Sequence, residues 1–185
     1  MNVREMVRRV AGMPRSLVTG GFAAALAAAV LLAVPGAASA EDCNPAIWKL
    51  EIKDNYAALL EDVKAGLEAQ QFSIISEDDL AGALATNREI LGMDAWNTIG
   101  FQEARAIHFC SLLFNQEVLN LDMDYSILCP FKVVLYSMQD DPEKVTIIMV
   151  RPSYLLAYFD DPNARAVGKK IEDRIRAAIM EAIPH

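Results

Sequence analysis

Apolar residues recur along the chain with the two periods that are typical of strands and helices. Residues 47–52 predict a first strand and residues 72–75 predict a second one. Between them lies a helical pattern, for which Asp54 is the expected N-cap and in which charged side chains occupy the opposite face. The apolar face of this helix consists of Tyr56, Leu59, Leu60, Val63 and Leu67.

The middle of the chain carries weaker signals. Residues 79–96 favour a helix, but Gly82 and Gly92 interrupt the pattern. Residues 105–112 predict a third strand, and residues 113–121 have helical spacing. We therefore expect a strand followed directly by a helix in this region.

The last third of the chain has the clearest patterns. Residues 131–138 and 145–150 are rich in Val and Ile, and the polar segment 139–143 between them predicts an antiparallel hairpin. Asp161 is the expected cap of a final helix that has Pro162 at its first position. The apolar face of that helix consists of Val167, Ile171, Ile175, Ala178 and Ala182, with Ile179 at its edge.

The order of these elements predicts the fold class. A hairpin beside several helices favours a mostly antiparallel sheet that is covered by helices, which makes an α+β domain with two layers. No repeat or long linker divides residues 41–185, so we expect a single domain over that range.

The first forty residues have a different character. Four arginines precede an apolar run over residues 22–34, which Pro35 ends, and Ala38 and Ala40 supply the small residues that a signal peptidase reads. The run is shorter than the roughly 20 residues that a membrane-spanning helix needs. This pattern predicts that residues 1–40 form a cleavable signal peptide and that the protein is periplasmic.

Removal of the predicted signal makes the chain more acidic. It takes four arginines and one glutamate from the 17 basic and 25 acidic side chains, which leaves a net charge of −11. Such a surface repels nucleic acid and anionic lipid, so neither nucleic-acid binding nor membrane-surface binding is expected. A small ligand, a periplasmic protein partner or a second copy of the chain remains as a partner.

Cysteine and histidine supply the candidate chemistry. His108 and Cys110 are two residues apart on a predicted strand and so share a face, and Cys129 begins the next strand region. Imidazole and thiolate suit a transition metal or haem iron, so these three residues form a candidate metal site. The alternative is a half-buried histidine that is satisfied by a hydrogen bond, beside a core cysteine.

Other arrangements of these residues stay open. With Cys43, three cysteines allow three single disulfides, and each of them leaves one thiol over. A thiol-redox protein would use Cys110 and Cys129, although no Cys-x-x-Cys motif is present. A hydrolase would rely on His108 as its base, but the chain has neither a nucleophile elbow nor a glycine-rich phosphate loop.

Three segments of the chain resemble the motifs of one bacterial family. Residues 69–72 stand where the family ends a helix in Gly-Phe, with Gln71 in place of the glycine. Phe109-Cys110-Ser111 matches the family's cysteine strand, although Ser111-Leu112 replaces Asn-Pro. Residues 128–136 match its Leu-Pro-Cys segment and Val-rich strand, with a cysteine before the proline and Phe131 after it.

These motifs resemble the domain-of-unknown-function family 302, and the resemblance covers roughly residues 49–183. It implies a two-layer sandwich that is similar in topology to one half of a TATA-binding protein, and it implies no activity. Because no catalytic constellation is visible, we expect a non-enzymatic binding or accessory protein with its ligand near His108, Cys110 and Cys129. An apolar groove between sheet and helices is a second place for a small ligand.

Overall fold

The computed structural model describes residues 44–183. The predicted cleavage residues Ala38 and Ala40, together with Cys43, lie outside the described residues. Within them the strands are β1 (Ile47–Lys53), β2 (Ser73–Asp79), β3 (Phe101–Cys110), β4 (Phe131–Met138) and β5 (Asp141–Val150). The α-helices are α1 (Tyr56–Ala69), α2 (Leu80–Thr86), α3 (Arg88–Leu91), α4 (Leu112–Leu119), α5 (Pro152–Leu156) and α6 (Pro162–Ala182). A 3₁₀ turn (Met123–Leu128) precedes β4.

The strands form one sheet in the order β1-β5-β4-β3-β2, and every neighbouring pair is antiparallel. β4 is the central strand, and its side chains alternate strictly between buried and more exposed positions. One face of the sheet, here called the covered face, packs against α1 and α6, and the other is called the open face. The predicted α+β class with a helix-covered antiparallel sheet is therefore confirmed.

The core lies between the covered face and the two long helices. From β4 it receives Val133 and Leu135, both fully buried, and from α6 it receives Ile171, Ile175 and Ile179. A side chain of this size contributes about 1.5–3 kcal/mol when it is fully buried, so these residues hold the two layers together. The α6 face predicted from helical spacing is confirmed at its central positions.

Local signals placed the start of α6 correctly and the start of α1 one residue early, whereas the single helix predicted over residues 79–96 is instead the two helices α2 and α3. Asp161 caps α6 by accepting a hydrogen bond from the amide of Asn163, as its sequence predicts. At α1 the cap is Asn55, whose side chain accepts from the amide of Ala58, whereas Asp54 accepts from the amide of Asn55. The prediction of Asp54 was wrong by one residue because Asp and Asn cap equally well.

The ends of several strands differ from the predictions. β2 continues to Asp79 rather than ending at residue 75, and β3 covers residues 101–110 rather than 105–112. β5 begins at Asp141, so only residues 139–140 turn the hairpin. These ends carry polar residues, so the apolar pattern did not predict them. The backbone still pairs there, as β3 does with both of its neighbours, because backbone hydrogen bonds do not require apolar side chains.

Two short elements and one buried charge had no sequence signal that we recognised. These are α5, the 3₁₀ turn, and Glu172 of α6, which is 2% exposed. Glu172 accepts a hydrogen bond from Arg151 at 2.9 Å and another from Ser153. This network ties α5 to α6. None of the helices in the described part of the chain has both the length and the apolarity needed to cross a bilayer.

Candidate functional site

A cleft opens at the end of the sheet where β4 begins, β5 ends and β1 begins. We call it the sheet-end cleft. Its volume is about 480 Å³, which falls in the size range of small-molecule sites. The 3₁₀ turn and α5 bound it. The lining residues are Ile47, Ile127, Leu128, Pro130, Phe131, Lys132, Val134, Ile148, Met149, Val150, Pro152, Leu155 and Ile175.

The lining of the sheet-end cleft is apolar with one exception. Lys132 is the sole charged residue among the thirteen that line it. Three apolar side chains of the lining are largely exposed, namely Ile127 at 80%, Val150 at 44% and Leu155 at 39%. Apolar side chains that cluster around a concave opening, instead of lying singly on the surface, are typical of binding sites.

A disulfide between Cys110 and Cys129 lies near this cleft. It joins the last residue of β3 to the segment just before β4, with a Cα–Cα distance of 6.1 Å. The side-chain nitrogen of Asn115 in α4 approaches the sulfur of Cys129 to 3.3 Å and that of Cys110 to 3.6 Å. Of the three pairings that the sequence left open, the structure contains this one.

A second, smaller cleft reaches the disulfide from the other side of the chain segment that carries Cys129. We call it the disulfide cleft; its volume is about 210 Å³. Leu128 and Phe131 line both clefts, so this segment is their shared wall. Burial, and then the carboxylates of Asp161 and Asp122, raise the pKa of the Tyr125 hydroxyl in the disulfide cleft. The remaining lining residues are Asn115, Val118, Leu119, Ser126 and Cys129.

His108 lies on the open face, opposite Lys132 of β4. Its Nε2 atom is 3.0 Å from Oδ2 of Asp78 on β2, and its side chain is 22% exposed. This is the half-buried, hydrogen-bonded histidine that was the alternative to a metal ligand. Within residues 44–183, no group of three or more His, Cys, Asp or Glu side chains is placed to hold a metal ion.

The structure thus brings together only part of the predicted site. Cys110 and Cys129 meet, but as a disulfide, so in this form neither sulfur is a thiolate ligand. His108 pairs with Asp78 instead of joining them. A metal or haem at these three residues is untested and stays a prediction.

A family model for the domain of unknown function DUF302 matches residues 48–182. The chain belongs to the DUF302 family. The crystal structure of an uncharacterized conserved DUF302 protein from Bacillus stearothermophilus is similar to it, with a TM-score of 0.64 and 16% sequence identity. That similarity covers 76% of this chain and 100% of the other. At this identity it shows a shared fold alone. No curated protein matches the chain.

Three residues that shape the site of this DUF302 domain escaped the sequence analysis. Asp78 lies in β2 opposite Ala106, three residues beyond the predicted end of that strand. Asn115 follows Cys110 by five residues, a spacing that returns its side chain to the disulfide after the first turn of α4. Lys132 is the one charged residue of β4, and this interruption of an apolar strand was the available signal.

Proposed function

We propose that this DUF302 domain is an exported binding protein that takes a small apolar ligand into the sheet-end cleft. The observation that carries the proposal is the cleft itself, in which twelve of thirteen lining residues are apolar. Burying apolar ligand surface there is favourable by about 25 cal/mol per Å². Export is supported by the predicted signal peptide.

A neutral fluorescent probe tests the proposal. N-phenylnaphthylamine gains fluorescence in apolar surroundings, and we expect it to bind the protein with one site. Ile127→Asp should weaken binding at least tenfold, because it places a charge at the rim of the cleft. Ile90→Asp in α3 is the matched control, since Ile90 is 84% exposed and does not line the cleft. Equal affinities in the two variants, or no binding by the wild type, would refute the proposal.

The surroundings of the Cys110–Cys129 disulfide favour a second candidate function, thiol–disulfide exchange. Cys110 directly precedes the capping residue of α4, and the positive end of a helix dipole stabilises a thiolate. The amide of Asn115 can donate to either sulfur. The disulfide cleft gives an incoming thiol a path to Cys129.

The exchange reaction needs only a dithiol as the reductant. Its thiolate attacks the sulfur of Cys129, the S–S bond breaks, and the electron pair leaves on Cys110. The second thiolate of the reagent then attacks the reagent's own sulfur in the mixed disulfide, and the bond to Cys129 breaks with its electron pair leaving on Cys129. The reagent is oxidised to a disulfide, and the two protein thiols take up the released protons.

A reduction potential distinguishes exchange from a structural disulfide. An exchange role predicts a value between about −270 and −120 mV, whereas structural disulfides lie below about −300 mV. Asn115→Leu should lower the potential because it removes a donor to the thiolate, while Gln116→Leu, at the next and exposed position of α4, should not. A free-thiol count that does not change with mild reductant would argue against this function.

The remaining two hypotheses stay predictions. A transition metal or haem at His108, Cys110 and Cys129 requires the reduced protein, so metal analysis and an optical spectrum should be recorded after reduction. A hydrolase relying on His108 has the carboxylate it needs in Asp78. However, His108 lines neither the sheet-end cleft nor the disulfide cleft.

A further inference from the structure

Resting on the proposed function, we infer that the ligand of the sheet-end cleft is an amphipathic carboxylate. Its apolar body occupies the cleft and its carboxylate pairs with the ammonium group of Lys132. The cleft and this lysine together define a ligand with one apolar part and one anionic end.

The position of Lys132 is unusual for a strand lysine. It follows Phe131 at the start of the central strand, and it is flanked along the open face by Val134, which also lines the cleft. The side chain itself is exposed. Lysine can lay its aliphatic stem along apolar surface and present its charge at the edge. Lys132 therefore places a cation at the mouth of an apolar cleft.

The ammonium group of Lys132 has no anionic partner within the described part of the protein. None of the ion pairs found in residues 44–183 includes it. Two other cations of the sheet are paired, namely Lys144 with Glu51 and Arg105 with Glu77. An unpaired ammonium beside apolar residues is available to a ligand anion.

The neighbour of Lys132 on β3 does not compete for such an anion. His108 lies directly opposite Lys132 in the sheet register, but its ring is hydrogen-bonded to the carboxylate of Asp78. The chain as a whole is acidic, so a general positive field does not attract anions to this end of the sheet. The attraction is local, and it requires a ligand whose anionic end lies next to its apolar body.

A pair of ligands that differ only in their head group tests this inference. The measurement is the displacement of N-phenylnaphthylamine by decanoate and by decanol. It is made on the wild-type protein and on the variants Lys132→Gln and Lys53→Gln. Lys53 is the matched control, because it is an exposed strand lysine without a described ion pair at the other end of β1. We expect the wild type to bind decanoate about fivefold more tightly than decanol, which is the size of one partly exposed ion pair.

The outcomes separate the two proposals. Lys132→Gln should bind decanoate and decanol equally, with decanol affinity unchanged, whereas Lys53→Gln should keep the preference. The preference should also shrink at high salt. Equal binding of both ligands by the wild type would overturn the carboxylate inference and leave an apolar site. Binding of neither ligand would overturn the proposed function as well.

Discussion

The covered and open faces of the sheet carry the same residue types at neighbouring positions. Val133 and Ile147 point to the covered face and are fully buried beneath the helices. Val134 and Ile148, the next residue of each strand, point to the open face, where they are half-buried and line the sheet-end cleft. Packing within the domain accounts for the first pair of residues. It does not explain why Val134 and Ile148 are apolar. A ligand in the sheet-end cleft would explain it.

The open face also changes character along its length. Lys49 of β1 lies opposite Ile148 of the cleft, and beyond it Glu51 lies 2.5 Å from Lys49 and 3.8 Å from Lys144. The hydrogen bond from Lys49 lowers the pKa of Glu51. This end of the face is an ordinary solvated surface, so the apolar residues near Lys132 are a local feature. Substitutions on each face would show whether the two faces differ in function as they differ in packing.

The largest expected effect compares a truncation on each side. Ile179→Ala removes a fully buried side chain of α6 and should lower the free energy of unfolding by about 2–5 kcal/mol. Val134→Ala should cost under about 1 kcal/mol because its side chain is only half-buried. Probe affinity should respond in the opposite way and fall only for Val134→Ala. Urea titration measures the free energy of unfolding, and probe binding measures the affinity of the cleft. Equal losses of stability in the two variants would contradict the distinction between the faces.

The next effect concerns the wall that the two clefts share. Replacing both Cys110 and Cys129 by Ala should lower the free energy of unfolding by about 2–4 kcal/mol, because the loop between them is no longer closed in the unfolded chain. The affinity of the sheet-end cleft should fall too, since the disulfide anchors the segment that carries Leu128 and Phe131. Cys43→Ala is the control and should alter neither quantity. An unchanged affinity in the double variant would show that the wall holds without the bond.

A smaller effect tests how closely the covering helices pack. A Cβ atom added to Gly66 of α1 would overlap the carbonyl oxygen of Ala178 in α6 and lie 2.7 Å from Cβ of Ala182. Gly66→Ala should therefore cost about 1–3 kcal/mol in thermal or urea unfolding, because α1 and α6 must move apart.

Gly82→Ala in α2 is the matched control for that substitution. The three atoms nearest to its Cβ would all belong to the side chain of Asp79, which can rotate away if it gives up its cap and its pair with Arg105. The lost cap costs about 1 kcal/mol, and the better helix propensity of Ala returns a similar amount. If Gly66→Ala were equally neutral, the close approach of α1 to α6 would be wrong.

Much of the fold could be predicted because its signals are local. The cap and proline of α6 are adjacent residues, and the alternation of β4 needs only eight positions. The site is different, since it depends on residues that are distant in the chain. Ile47 and Val150 meet at the cleft because β1 pairs with β5, and no local pattern encodes that pairing. The disulfide could not be chosen from three pairings for the same reason.

The smallest expected effect is that of a substitution at one residue, Gln71, at the end of α1. The amides of Gln71 and Phe72 donate to the carbonyls of Glu68 and Leu67, which is the Schellman arrangement, and it holds Gln71 at a φ of 66°. Glycine adopts this left-handed conformation without the steric cost that a side chain brings, which explains why the resembling family has glycine at this position. Gln71→Gly should therefore raise the free energy of unfolding by about 0.5–1 kcal/mol. Gln70→Gly, where φ is −91°, should lower it, and a loss of stability in both variants would contradict the assigned conformation.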